Sequence, residues 1–281
     1  MLFVILLAAA LHAGWNALVK TGPDKLAAMT QISAASGLIA LCGLPFVEVP
    51  AGPVWYYILA SALLHTVYRL VLVKAYGSGD LGQVYPLARG AAPLLVTLAG
   101  LALPGALLSG TALAGVLILI AGIVLMSFRG GTSSTIKPDR GAVLYALMTS
   151  VMIASYTLVD GMGARVGGDA LSFTLWLFAI DCPLTVLVAS FGLRGRFLSS
   201  VTRSWQTGLA GGGMSMAAYG LCIWAMTVLP IPVVAALRET SVLFAVLIAR
   251  VWMKELLSLS RLLAVLAIIA GVVLLRLDIG G

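Results

Sequence analysis

Arg89 stands between Pro86 and Pro93 in an otherwise apolar run, and Arg238 and Glu239 stand side by side in another. A guanidinium in such a setting offers a planar fork of donors that matches a carboxylate or a phosphate. Its chemistry is either anion binding or a structural ion pair with Asp181 or Glu239. Each proline removes a backbone donor, and Pro93 frees the carbonyl of Arg89 itself. A bent helix around a cation suits a wall that must bind and release. Glu239 has two candidate roles, as the carboxylate that carries a coupling proton or as the fixed counter-ion of Arg89. Neighbours on a helix point about 100° apart, so Arg238 and Glu239 are expected to need separate partners.

Further polar groups recur at helical spacing. His12, Asn16 and Lys20 form a stripe with Trp15 beside it. His65 and Arg69 share a face next to Tyr68, and Tyr156 shares one with Asp160. Polar stripes on helices otherwise fit for lipid must face a bundle interior or a water-filled cavity. The alternative is interhelical hydrogen bonding, worth about 0.6–2 kcal/mol per contact. Tyr68, Tyr85, Tyr156 and Tyr219 lie deep in their runs and suit a hydrophobic solute side chain. Together with Arg89 they favour an amphiphilic zwitterion such as an amino acid. The substrate-binding set expected is therefore Arg89, Tyr85, His12, Trp15, Asn16, His65, Tyr68, Tyr156, Tyr219 and Arg238. Pro86, Pro93 and the run Gly211, Gly212 and Gly213 are candidate hinges, although close helix packing also explains such glycines.

The elements that must hold these groups follow from composition. Of 281 residues, 61% are hydrophobic and only 10% charged, and the mean hydropathy is +1.10. A soluble chain is about 25% charged, so a soluble enzyme, a nucleic-acid binder and a disordered chain are all excluded. The solvent is lipid. Ten apolar windows of about 20 residues, the length that spans a bilayer, use nearly the whole chain. They are 2–19, 26–46, 53–73, 81–102, 109–128, 141–160, 170–191, 205–227, 232–251 and 258–275. The predicted fold is an all-α integral membrane protein of ten transmembrane helices. The three cysteines all fall inside apolar windows and read as small buried hydrophobes.

The chain repeats. Residues 84–126 align with 233–275 at an offset of 149, with 15 of 43 positions identical, among them Arg89 with Arg238, Ser109 with Ser258 and Gly122 with Gly271. Two five-helix copies are expected at 1–128 and 141–281, joined by a cytoplasmic linker over 129–140. Five is odd, so the second copy must be inverted, an arrangement typical of secondary transporters with a central site where the repeats meet. Basic residues fall twelve to two in favour of the odd-numbered connections. By the positive-inside bias this places those connections in the cytoplasm and both termini outside.

The run Ala75-Tyr76, Gly79-Asp80-Leu81, Val84-Tyr85-Pro86-Leu87-Ala88-Arg89-Gly90 and Pro93 resembles the signature of EamA-like members of the drug/metabolite transporter superfamily. The stretch Val233-Val234-Ala235-Ala236-Leu237-Arg238-Glu239-Thr240-Ser241, followed by Lys254-Glu255 and Gly271, is similar to the end of their second domain. The resemblance covers essentially the whole chain. It implies ten helices around a central cavity lined by helices 1, 3, 4, 6, 8 and 9, with helices 5 and 10 peripheral. It also implies secondary transport, by alternating access, of an amino acid or another metabolite. Export across the inner membrane is the favoured direction; uptake or exchange of another small organic anion is the alternative. Partners are then the lipid bilayer and a small-molecule substrate, with no nucleic acid, and the chain acts as a monomer or as a dimer through its peripheral helices. Two departures stand out. Ala106 replaces the glutamate usual before the fifth helix, while Glu255 is kept; and relatives are often assigned cytoplasmic termini, against the charge count.

An intramembrane enzyme is the rival class. The sequence has two histidines, no HExxH and no paired aspartates suited to Mg²⁺ and a diphosphate. No catalytic residue, metal or cofactor is expected.

Overall fold

The computed structural model describes residues 1–21, 24–78, 81–100, 108–128, 140–193, 205–252 and 259–280. Within its helices, side chains are left aside at 20–21, 25, 72–73, 75–78, 81–88, 126–128, 140, 142, 192–193, 249–250, 252, 260–261 and 278–280. Among the described residues the chain is all helical: α1 (Leu2–Thr21), α2 (Lys25–Gly43), α3 (Gly52–Ser78), α4 (Leu81–Gly100), α5 (Gly110–Phe128), α6 (Arg140–Gly167), α7 (Ala170–Leu193), α8 (Trp205–Val228), α9 (Ile231–Arg238), α10 (Ser241–Trp252) and α11 (Leu259–Gly280). Seven stretches are long and apolar enough to cross a membrane, and shorter apolar helices occupy Gly110–Leu125 and Leu262–Leu277. The architecture agrees with the ten-helix expectation, with α9 and α10 sharing the ninth span.

Local chemistry sets the starts. The Asp24 carboxylate accepts the Ala27 amide at 3.1 Å ahead of α2. Ser109 Oγ accepts the Ala112 amide at 3.0 Å ahead of α5. Asp169 Oδ1 accepts the amides of Leu171 and Ser172 at 2.8 and 3.1 Å ahead of α7. Each satisfies donors that a helix start leaves open. Gly168, at φ +71, makes the tight turn from α6 into α7. Both α3 and α6 outrun their apolar windows, because hydropathy marks the length facing lipid and not the length that stays helical.

One expectation needs correction. The ninth span, predicted as one helix over 232–251, is broken after Arg238. Across the break the amides of Glu239, Thr240, Val242 and Leu243 each bond the carbonyl three residues back, the tighter 3₁₀ pattern that marks hinges and strained sequences. Thr240 Oγ1 also donates to the Leu237 carbonyl at 2.6 Å, a side-chain bond that competes with the helical ladder. By contrast α8 runs unbroken through Gly211, Gly212 and Gly213. A Cβ on Gly211 would lie 2.7 Å from Ile32 Cγ1, and one on Gly212 would lie 2.7 Å from Ala35 Cβ and 2.9 Å from Ser36 N. These glycines seat α2, and Ser36 Oγ donates to the Gly212 carbonyl at 3.1 Å. Of the proline hinges, Pro93 lies in an unbroken α4, and the side chain of Pro86 is outside the described residues.

The chain forms two compact units, one of Phe3–Thr66 with Val159–Val228 and the other of Val67–Leu158 with Leu229–Gly281. In the first, α2 packs on α7 and α8, and Phe173 and Leu177 of α7 are buried against Val54, Ile58 and Ala62 of α3, Ala164 of α6 and Ile223 of α8. In the second, α5 packs on α11 and α4, and α9 packs on α4 and α5. The linker expected at 129–140 lies outside the described residues up to Arg140, where α6 begins; Ala106 and Glu255 also lie outside them.

The second unit carries the sign of inversion. A Cβ on Gly122 would come within 2.8 Å of Ile268 Cγ1 and 3.0 Å of the Ala264 carbonyl. One on Gly271 would come within 2.7 Å of the Gly115 carbonyl and 2.8 Å of Leu119 N. As the number rises on α5 it falls on α11, so the two helices are antiparallel. Under the offset of 149, Gly122 corresponds to Gly271 and Gly115 to Ala264, so the contact of Gly122 with Ala264 is repeated with the copies exchanged as that of Gly271 with Gly115. The crossing has a local two-fold character, and these copies of one helix run in opposite directions.

No flexible side chain stands ready to give way at this crossing. Gly122→Ala and Gly271→Ala are each expected to cost about 1–3 kcal/mol, the usual cost of overpacking. Thermal unfolding in detergent checks this, with Gly110→Ala, where a Cβ meets nothing within 4 Å, leaving the transition unmoved.

Candidate functional site

The most charged site is built by α4 and the break after α9. Arg89 of α4 reaches Glu239 with Nε at 3.0 Å and Nη2 at 2.9 Å, both on Oε2. Arg238 Nε lies 3.7 Å from the other carboxylate oxygen, Oε1. One carboxylate is thus held between two guanidiniums, and all three side chains are largely withdrawn from solvent, at 11% exposure for Arg89, 6% for Arg238 and 1% for Glu239. Of the two ion-pair partners expected for Arg89, the structure pairs it with Glu239. Glu239 takes its hydrogen bonds from Arg89 on α4, and its neighbour Arg238 stays at 3.7 Å, too far for a hydrogen bond; α9 ends at Arg238 and the next turn is 3₁₀.

Symmetry explains how the three meet. Arg89 and Arg238 are equivalent in the two copies, whereas the counterpart of Glu239 is Gly90. A Cβ on Gly90 would lie 3.2 Å from Val124, so α5 lies close at the position where a second carboxylate would begin. Two equivalent cations therefore flank the carboxylate of Glu239. Buried guanidiniums suit a ligand that brings an anion.

Aromatic groups of the expected set also meet in pairs. In the same unit Tyr68 and Tyr156 pack edge to face with centroids 5.7 Å apart. Tyr85 lies on α4 one turn before Arg89, and its side chain is outside the described residues. In the other unit His12 packs edge-on against Trp15 at 5.1 Å. Asn16 there spends its amide on the His12 carbonyl, at 2.7 Å. The Lys20 side chain lies outside the described residues.

A second polar cluster lies inside the first unit. The Tyr219 hydroxyl donates to Asp160 Oδ2. The Tyr219 ring meets His65 edge-on at 5.7 Å and Phe178 at 6.3 Å. His65 Nδ1 is in turn 3.0 Å from the Ser61 carbonyl and 3.1 Å from Ser61 Oγ. Sequence reasoning placed Asp160 on a face with Tyr156 without including it in the site. The available signal was its position as a carboxylate deep in an apolar window, because burying such a charge costs about 2.5–3.5 kcal/mol on the insertion scale. A hydrogen bond to a charged group returns about 1.5–3 kcal/mol, so the tyrosine bond is of the right size to offset that cost.

Residues 140–277 match the EamA-like transporter family. The chain carries an EamA-like transporter domain. As such it is a multi-pass membrane protein that moves small metabolites, and not an enzyme. A solved crystal structure superposes on the EamA-like chain with a TM-score of 0.75, covering 98% of this chain and 96% of that one at 19% identity, and has the same fold. No curated protein matches the chain.

The geometry of the charged cluster fixes an order of coupling. A double-mutant cycle between Arg89 and Glu239 should give an interaction of about 0.5–3 kcal/mol, larger than the cycle between Arg238 and Glu239. Glu239→Gln alone should lower stability by about 3–5 kcal/mol, since it leaves two buried cations around a neutral group. Unfolding in detergent measures all of these.

Proposed function

We propose that this protein is a secondary transporter of an amino acid, with aromatic or hydrophobic side chains preferred, exporting it across the inner membrane by alternating access. The observation that carries the reading is the Arg89–Glu239–Arg238 cluster, with two buried guanidiniums to one carboxylate. An incoming substrate carboxylate competes with Glu239 for a guanidinium fork. Because Glu239 stays within reach of both arginines, neither cation is left bare when the solute departs. Glu239 then serves as a counter-ion that the substrate displaces.

The turn that bears Glu239 is the break between α9 and α10. Discontinuous helices are a recurrent feature of carrier binding sites, and a 3₁₀ turn lets the carboxylate shift with little rearrangement of the flanking segments. The aromatic pair Tyr68 and Tyr156 in the same unit, with Tyr85 on α4, supports a preference for an aromatic or aliphatic side chain. His12, Trp15, Asn16, His65 and Tyr219, all of the other unit, are proposed separately as solute contacts within that unit.

Uptake of labelled amino acids into liposomes containing the purified protein tests the reading. Wild type is expected to carry phenylalanine, tyrosine or leucine ahead of glycine or lysine. Arg89→Ala is expected to weaken substrate binding about ten- to a hundredfold, the equivalent of one charge-assisted hydrogen bond of about 1.5–3 kcal/mol. Arg89→Lys should recover only part of this, because the fork is lost while the charge remains. Flux of a dicarboxylate or a phosphorylated solute without flux of any amino acid would move the assignment to another organic anion. Equal flux with and without Arg89 would remove the cluster from the site.

A further inference from the structure

Asp160 is a buried carboxylate that the anion-binding cluster does not use. It lies within Val143–Gly167, an apolar stretch of α6 long enough to cross the membrane, and is fully buried. Its Oδ2 accepts the Tyr219 hydroxyl of α8. The Tyr219 ring is held in place by His65 of α3 and Phe178 of α7. His65 is itself fixed, because the Ser61 carbonyl 3.0 Å from Nδ1 can only accept, so that nitrogen carries hydrogen. The titratable groups of the elements packed around Asp160 in its unit are Tyr56, Tyr57 and His65 on α3, Asp181 and Cys182 on α7, Tyr219 and Cys222 on α8, and Arg165 on α6 itself.

Building on the transport reading above, we propose that Asp160 is the group that binds and releases the proton coupled to solute movement. The chemistry of its partner supports this. A phenol donates to a carboxylate and accepts from a carboxylic acid, so Asp160 keeps its bond to Tyr219 in either protonation state. The step is simple. A proton from water on one side adds to a carboxylate oxygen, the O–H turns toward the phenol oxygen, and the same O–H bond later breaks to return the proton to water on the other side. Intramembrane carboxylates with hydroxyl and imidazole neighbours are the usual material of proton relays. His65 and Phe178 are positioning residues, which act by holding Tyr219.

Two measurements test this, and the first needs no substrate. Infrared difference spectra of the reconstituted wild type across a pH titration should show a protonated-carboxyl stretching band that is absent from Asp160→Asn. The band should return at a shifted midpoint in Asp160→Glu, and its frequency and midpoint should both move in Tyr219→Phe. An unchanged band in Asp160→Asn would overturn the proposal. The second is transport. A pH gradient should raise wild-type accumulation several-fold, whereas Asp160→Asn should exchange labelled for unlabelled solute yet accumulate none in response to the gradient. Glu239→Gln, which removes the carboxylate the solute competes with, should bind solute more tightly while its accumulation still follows the gradient. A gradient response in Asp160→Asn equal to that of wild type would also overturn the proposal. Absence of exchange by wild type for every solute would count against the transport reading instead, leaving the infrared titration to decide the proton site.

Discussion

Glu239 is a single carboxylate between two arginines in a setting with almost no water. A charge so placed is stable only while its partners stay within a few ångströms, and much of the second unit can be understood as meeting that condition. It requires α4 to lie against α9, so that Arg89 can place both Nε and Nη2 on one oxygen. It also requires the ninth span to turn at Glu239, so that the neighbouring Arg238 can approach the other oxygen. The break in this span and the ion cluster are therefore one feature, seen first in the backbone and then in the side chains.

The duplication of the chain explains why two arginines are present and why only one acid answers them. Equivalent helices of the two copies, α5 and α11, cross antiparallel through Gly122 and Gly271, with backbone too close for a side chain. Such a crossing brings equivalent positions of the two copies toward each other, and Arg89 and Arg238 are one such pair. Glu239 opposite Gly90 breaks the equivalence. The compact units combine helices of both copies. The repeat describes relatedness of sequence and the units describe packing, so their boundaries need not coincide.

The first unit handles polarity differently. Its buried carboxylate, Asp160, meets a phenol, and the phenol is held by ring contacts from two further helices. The glycines of α8 serve the same unit by letting α2 approach closely.

The all-helical fold, the approximate span ends, the duplication and the few residues worth attention were legible from the sequence. Hydropathy is a local property that lipid imposes residue by residue, and a charge in an apolar run is conspicuous whatever it touches. Arg89, Arg238 and Glu239 were identified in this way. Their pairing was open, because the arginine of α4 and its acid lie 150 residues apart and the sequence offered both Asp181 and Glu239. The break at Glu239 was hidden as well: the run from Ile231 to Ile248 is uniformly apolar enough to span, and the ladder is interrupted by side-chain and 3₁₀ bonds that hydropathy does not register. Asp160 was visible as a residue and not as a site, since its partner Tyr219 comes from another helix. By itself the sequence determined which groups had to be kept from lipid. Only the tertiary structure decided which of them face each other, because that depends on how closely the helix backbones approach.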